Sequence, residues 1–298
     1  MPTPVLTRSR AHRRTSALAL LMIGSLALAG CGDDEPDTVA DPSTSPSNTP
    51  SVTPTPTPSD DADRSFSDIT PVYFTIDTRA GLRLVREPRE TGIDGIGAVE
   101  AMIGGPEDPD YTTSWNPDTE VLSVGESDGV INVDLSAEAR EANVGAEAAE
   151  MMAQQLVWTV TQLYGDDLAV QLLIDGESAT DMWGHVDWAD PIGRQAGDDV
   201  RAFVGIDTPA EGETITGDLT VTGEAIAFEG TVLWRVLDPK GKEMEAGFTT
   251  SEEGMTLAPY TFTVSLKPGD YVVEVSEDDA SDGEGGAPLV DTRTITVE

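Results

Sequence analysis

A single cysteine in 298 residues limits how this chain can be held together. It is Cys31, the last residue of Leu28-Ala29-Gly30-Cys31. Residues 1–15 carry Arg8, Arg10, Arg13 and Arg14 and no acid, and residues 17–29 are almost wholly Ala, Leu, Met, Ile, Gly and Ser. A basic stretch followed by a short apolar run is the pattern of a secretory signal. The run is too short to cross a hydrocarbon core of about 30 Å as a mature helix, and no later stretch is long and apolar enough to do so. An exported chain without disulfides must rely on its hydrophobic cores. A zinc site of the Cys type is excluded on the same ground.

The Leu-Ala-Gly-Cys step, with Gly32-Asp33-Asp34-Glu35 directly after it, resembles the lipobox of bacterial lipoproteins. A cysteine at the edge of a signal and followed by an acidic run is not a core residue. The resemblance implies that the Cys31 thiolate takes a diacylglyceryl group, that the signal peptide 1–30 is cut away, and that Cys31 becomes residue one. Membrane lipid, reached through acylated Cys31, is therefore the first expected partner. The expected location is the outer face of the cytoplasmic membrane. Two acyl chains hold a protein there stably, whereas one is marginal.

Residues 31–68 read as a tether. From 36 to 65 the chain is Pro, Ser, Thr and Asp with almost no apolar residue, and Thr49 to Pro58 nearly alternates Thr with Pro. Such a segment cannot bury enough surface to offset its chain entropy. In polyproline geometry, at ~3.1 Å per residue, it reaches on the order of 90 Å. The Thr-Pro alternation also suits O-glycosylation. The formal charge of the whole chain is -38, and removing the arginines of the signal makes it more negative still. A chain this acidic repels phosphate backbones, so nucleic acid is excluded as a partner.

The first folded unit is expected over 69–194. Pro71–Ile76 and Leu82–Glu87 alternate around Arg79-Ala80-Gly81 and predict a hairpin. Apolar residues from Asp94 to Ile103 fall at mixed spacings of 3 and 4, and Gly104-Gly105-Pro106 ends that helix. Glu120–Gly125 and Gly129–Leu135 flank the turn Ser127-Asp128-Gly129. From Val144 to Tyr164, Ala149, Met152, Leu156, Val160 and Leu163 make one apolar stripe, and Leu168–Ile174 is the last strand. The order β-β-α-β-β-α-β predicts an α+β domain with its helices on one sheet face. Tyr73-Phe74, Ala101–Pro106, Val133–Ser136, Gln154–Thr161 and Ile174-Asp175-Gly176 together resemble the GerMN domain of sporulation and spore-germination proteins. That family is similar in fold to small ring-building modules of secretion-type assemblies and is not catalytic. The resemblance implies structural roles for Gly105-Pro106, as a helix stop, and for Asp134-Leu135-Ser136, as a cap for the next segment of the chain.

The second unit is expected over 200–298. Strand candidates recur at short intervals: 201–206, 214–216, 219–223, 231–237, 244–250, 260–266, 271–276 and 291–297, with Gly- and Pro-rich turns between them. That spacing predicts an all-β, immunoglobulin-like sandwich with Trp234 in its core. Thr220–Ala225, Phe228–Val232, Trp234, Pro259–Phe262 and Leu266–Tyr271 resemble the immunoglobulin-like domain of bacterial spore germination.

Catalytic chemistry is poorly provided for. His185 is the one histidine beyond the signal, and no Gly-x-Ser-x-Gly elbow supplies it with a nucleophile. Trp183 and Trp188 beside it are expected to pack the end of the first unit against the second, with an aromatic patch for sugar or peptide as the alternative. Asp278, Asp279, Asp282 and Glu284 lack EF-hand spacing and read as a solvated loop. Gly104-Gly105 lacks the Lys-Ser/Thr of a phosphate loop, and no pair among 55 acids is marked as a glycosidase pair. No catalytic, metal or cofactor site is expected, and Cys31 is the one residue with assignable chemistry. The expected function is a membrane-anchored lipoprotein with two non-catalytic binding modules. It would act in envelope assembly or signalling through an envelope protein or a cell-wall polymer. The alternative is a glycan-binding or wall-hydrolysing accessory protein using Trp183, Trp188 and a carboxylate pair.

Overall fold

The computed structural model describes residues 69–92, 94–278 and 286–298. The signal, Cys31, the tether and three of the four acids near 280 (Asp279, Asp282, Glu284) lie outside the described residues. In the first half the elements are β1 (Ile69–Thr78), β2 (Gly81–Glu90), α1 (Gly95–Gly104), β3 (Val121–Ser127), β4 (Val130–Leu135), α2 (Ala146–Tyr164) and β5 (Ala169–Ile174). Short pieces come next: β6 (Glu177–Ser178), β7 (Asp181–Met182), β8 (Val186–Asp187) and α3 (Gly197–Val200).

The expected order of strands and helices is present, and its local causes are visible. Asp94 caps α1, its side chain accepting from the N–H of Gly97 at 3.1 Å. The β3–β4 turn carries Asp128 and Gly129 with φ of 55° and 80°. Two positive φ values in succession suit the twist of a tight hairpin, and Asp-Gly supplies them at least cost. β4 and β5 run parallel, with α2 as the crossover between them. They form the middle of a sheet ordered β3-β4-β5-β6.

The first hairpin departs from the expected single layer. β1 and β2 pair with each other over ten positions and with no strand of the four-stranded sheet. Both contact α2, which therefore packs the sheet on one side and the hairpin on another. This explains why α2 is buried without a break from Met151 to Thr161 instead of along one stripe. Met152, Leu156 and Val160 lie in the main core, while Met151 and Trp158 join Tyr73, Leu84 and Val200 under the hairpin. Leu163, expected in the stripe, is only half-buried.

The buried polar residues of α2 have a clear task. The outward edge of β1 has no strand beside it at Tyr73, and its backbone groups would be bare inside the protein. Gln155 Nε2 donates to the Tyr73 carbonyl at 2.8 Å, and Thr159 Oγ1 accepts from the Tyr73 N–H at 3.2 Å. Two residues on, Thr75 exchanges backbone bonds of 2.8 Å with Thr112. Ser136, expected as a cap, makes no cap bond. Its hydroxyl accepts from the N–H of Glu120 at 2.9 Å and so ties the two ends of the β3–β4 hairpin.

The second half contains β9 (Val204–Thr208), β10 (Glu213–Ile215), β11 (Leu219–Ala225), β12 (Thr231–Leu237), β13 (Glu243–Thr250), β14 (Ala258–Val264), β15 (Gly269–Glu277) and β16 (Val290–Val297). They form two sheets, β10-β16-β15-β12-β13 and β14-β11-β9. Period-2 burial in β11, β14 and β15 sends Val221, Phe262 and Val273 into the space between them. Trp234 is half-buried at the side of this core. It stacks on Phe262 with ring centroids 4.7 Å apart and lies over Gly247, where an added Cβ would come within 2.5 Å of the indole.

Candidate functional site

The densest set of charged groups is buried where the two halves meet. After α1, the loop that begins at Gly105 carries Asp108 and Tyr111; β16 carries Asp291 and Arg293. Strand alternation places Asp291 and Arg293 on the same face as Ile295 and Val297, so all four turn inward. Asp108, Asp291 and Arg293 are each no more than 1% exposed.

Burial of such groups is tolerable only if they satisfy one another, and they do. Arg293 pairs with Asp108 and, at 3.2 Å, with Asp291. Its other terminal nitrogen donates to the Tyr111 hydroxyl and to the Ile206 carbonyl, both at 2.7 Å. Tyr111 donates in turn to Asp291, at 2.8–2.9 Å from both carboxylate oxygens. Asp291 also accepts from the Ile206 N–H at 2.6 Å. Around the rim, Glu87 accepts from the backbone N–H groups of Glu107 and Asp108, and Thr292 donates to Asp110 at 2.6 Å.

One guanidinium thus serves two buried carboxylates. Burial raises Asp108 to about 6 despite the pull of Arg293. It also raises Asp291. The Tyr111 phenol is pushed well above its usual range, by burial first and then by the adjoining Asp291. Burial works against the charge of Arg293, but Asp291, Tyr111 and Asp108 outweigh it and raise that group. A carboxyl shifted this far can mark a catalytic acid. Here its partners are all structural groups of the junction.

A second cluster lies along β2. Arg86 grips Asp207 with two nitrogens, at 2.7 and 2.5 Å, and reaches Glu224 at 2.8 Å. Arg201 holds the other oxygen of Glu224 at 3.0 Å and donates to the Tyr73 hydroxyl at 3.3 Å. The chain beside Arg201 runs along β2, with the Ala202 N–H on the Leu84 carbonyl at 2.7 Å. Arg201 and Arg194 both lie over the Trp158 ring, at 5.3 and 4.3 Å from its centroid. Burial lowers Arg194.

The residues singled out from the sequence sit elsewhere. Trp188 is fully buried and donates its indole N–H to the Val170 carbonyl at 2.9 Å. Trp183 meets Trp115 edge-on at 5.2 Å and donates to the Ala139 carbonyl at 3.0 Å. Both therefore bond within the first half, which corrects the expectation that they seal it against the second. A fully buried Trp188 has no face to offer a sugar. His185 is exposed at the β7–β8 turn, in a shallow depression shared with Thr180, Asp181 and Asp187. Asp278 is exposed at the end of β15. Among the described residues, no three His, Cys, Asp or Glu side chains are placed to hold a metal ion.

Residues 71–180 match the family described as sporulation and spore germination, and residues 203–284 match the immunoglobulin-like domain of bacterial spore germination. The chain carries both domains. Among solved structures, the first GerMN domain of the sporulation protein GerM from Bacillus subtilis is 25% identical, with a TM-score of 0.33 over 42% of this chain and 97% of that one. The tandem GerMN domains of the same protein are 18% identical, with a TM-score of 0.36 over 66% of this chain, which spans 61% of theirs. No curated protein matches. The GerMN domain thus brings Arg86, Asp108 and Tyr111 to the junction, and the immunoglobulin-like sandwich brings Asp207, Glu224, Asp291 and Arg293. Neither cluster is implied by the expectations for each domain by itself.

Proposed function

We propose that this protein is a non-catalytic contact module of the cell envelope, of the sporulation and germination type. Acyl chains on Cys31 hold it to the outer face of the cytoplasmic membrane, and the tether over 31–68 gives it reach. Its folded part meets an envelope protein. One observation carries this reading: the strongly shifted and deeply buried charges, Asp108, Asp291 and Arg293, are all engaged in joining the two domains. Both domain families consist of non-catalytic modules, in keeping with that use. A wall-binding or wall-hydrolysing role receives no such support, since Trp188 is inside the protein.

Crosslinking in intact envelopes followed by capture of the chain tests the contact role. The reading predicts a discrete protein partner; retention on purified peptidoglycan with no protein partner would contradict it. For the anchor, Cys31→Ala should release the protein into the medium or leave the signal uncut. Unchanged processing and membrane association would refute the lipid anchor.

A further inference from the structure

Seven large apolar side chains are exposed among the described residues, and five of them, Phe228, Leu233, Met244, Phe248 and Met255, fall on one stretch of the immunoglobulin-like sandwich. Leu233 stands opposite Phe248 across the β12–β13 ladder, on the face turned away from buried Val232 and Val236. The segments that carry Phe228 and Met255 meet at the end of the same two strands, where the Met255 N–H donates to the Ala227 carbonyl at 3.0 Å. An apolar cluster of this kind on an otherwise acidic surface marks a contact site.

The strand beneath it has a side that is free over most of its length; only at its end does β14 come alongside, where the Thr249 hydroxyl donates to the Thr261 carbonyl at 2.7 Å and the Glu252 N–H to the Pro259 carbonyl at 3.0 Å. β13 is the last strand of its sheet, paired with β12 alone, and six of its eight residues are exposed. A long edge strand is a template for another strand unless proline, a bulge or a covering element blocks it. β13 contains no proline, and its one irregularity lies at its start, opposite Val236 and Leu237.

The sequence around this edge is complementary to itself. In an antiparallel pairing centred on Gly247, Met244 of one copy faces Thr250 of the other, Glu245 faces Thr249 and Ala246 faces Phe248, and the exposed Lys242 and Glu252 lie opposite each other just beyond the paired segments. No like charges stand directly opposite. Lys240 and Lys242 are two of only three lysines in the chain, and Asp238 fixes their turn by accepting both backbone N–H groups at 2.9 Å. A net charge of -38 makes most other surfaces of two copies repel. This edge is one place where the charges match.

We propose that β13 pairs with β13 of a second copy, antiparallel about Gly247, so that the five-stranded sheets of the two copies become continuous. The pairing supplies partners for the free backbone groups of both edges between Met244 and Thr250. It also sets the two Phe248 rings diagonally beside each other, over Leu233 and Ala246 of each copy, within reach of a cross-strand contact.

Sedimentation velocity on the full chain, over a range of concentrations, tests this. The parent should pass from monomer to dimer. Phe248→Lys should stay monomeric with an unchanged melting temperature, because the side chain is 71% exposed in the monomer. Lys242→Glu and Glu252→Lys should each weaken the dimer about fivefold, since each sets like charges opposite at two symmetric places. The double variant should regain the parent affinity. A parent that is monomeric at every concentration overturns the proposal and leaves the edge to a strand of another protein. A dimer unaffected by Phe248→Lys, or a double variant no tighter than the single ones, overturns it as well.

Discussion

Arg293 is the residue on which the junction depends. Replacing it with methionine keeps much of its volume but strands Asp108 and Asp291 in the interior. Removing one partner of a buried ion pair costs about 3–5 kcal/mol, so Arg293→Met should lower the melting temperature steeply at neutral pH and less at pH 5, where a carboxyl takes up a proton. Thermal melts at both pH values check this. Asp108 gives a second prediction with a definite sign. Its folded-state value of about 6 lies above the usual 3.8, so the folded protein binds the proton more tightly than the unfolded chain. The resulting stabilisation is fully present below 3.8 and is lost as pH rises through about 6. Between about pH 4 and pH 7 the melting temperature should fall with rising pH, and Asp108→Asn should fall less over the same range. An identical slope in parent and variant would show that Asp108 does not titrate in that window.

At the scale of elements, strands are far more legible than the segments that cover them. Alternation and the turns between them locate the eight strands described after residue 200 to within a few residues, because most of these strands turn one face inward and one outward. It also holds the clue to the junction: Asp291 and Arg293 fall in phase with Ile295 and Val297, which puts two charged residues on an inward face. In a chain where 24% of residues are charged, that clue is easily read as solvent exposure. The partners are not legible, since 185 residues separate Asp108 from Arg293. α2 shows a related limit. The 3-and-4 spacing marks its face toward the sheet, but Gln155 and Thr159 are buried because a hairpin lies over them, and spacing alone does not register a second cover. Their role yields a prediction at this scale. Gln155→Leu leaves the Tyr73 carbonyl without its donor inside the protein, at a cost of about 1–3 kcal/mol. Urea unfolding should show a lower midpoint with an unchanged slope.

At the scale of the whole molecule, two domains with separate family signatures fold as parts of one body. The described residues, from 69 onward, belong to one compact unit, and a continuous hydrophobic core runs from Val72 in the GerMN domain to Val297 in the sandwich. Two ionic clusters span the same boundary, Arg293 with Asp108 and Asp291, and Arg86 with Asp207 and Glu224. Neither domain can lose its structure without exposing the charges of the other. Sequence patterns describe each domain from within and do not reveal this dependence. Differential scanning calorimetry of the full chain measures it. A single transition, with equal calorimetric and van't Hoff enthalpies, is the predicted result. Two separable transitions, one for each domain, would contradict the account.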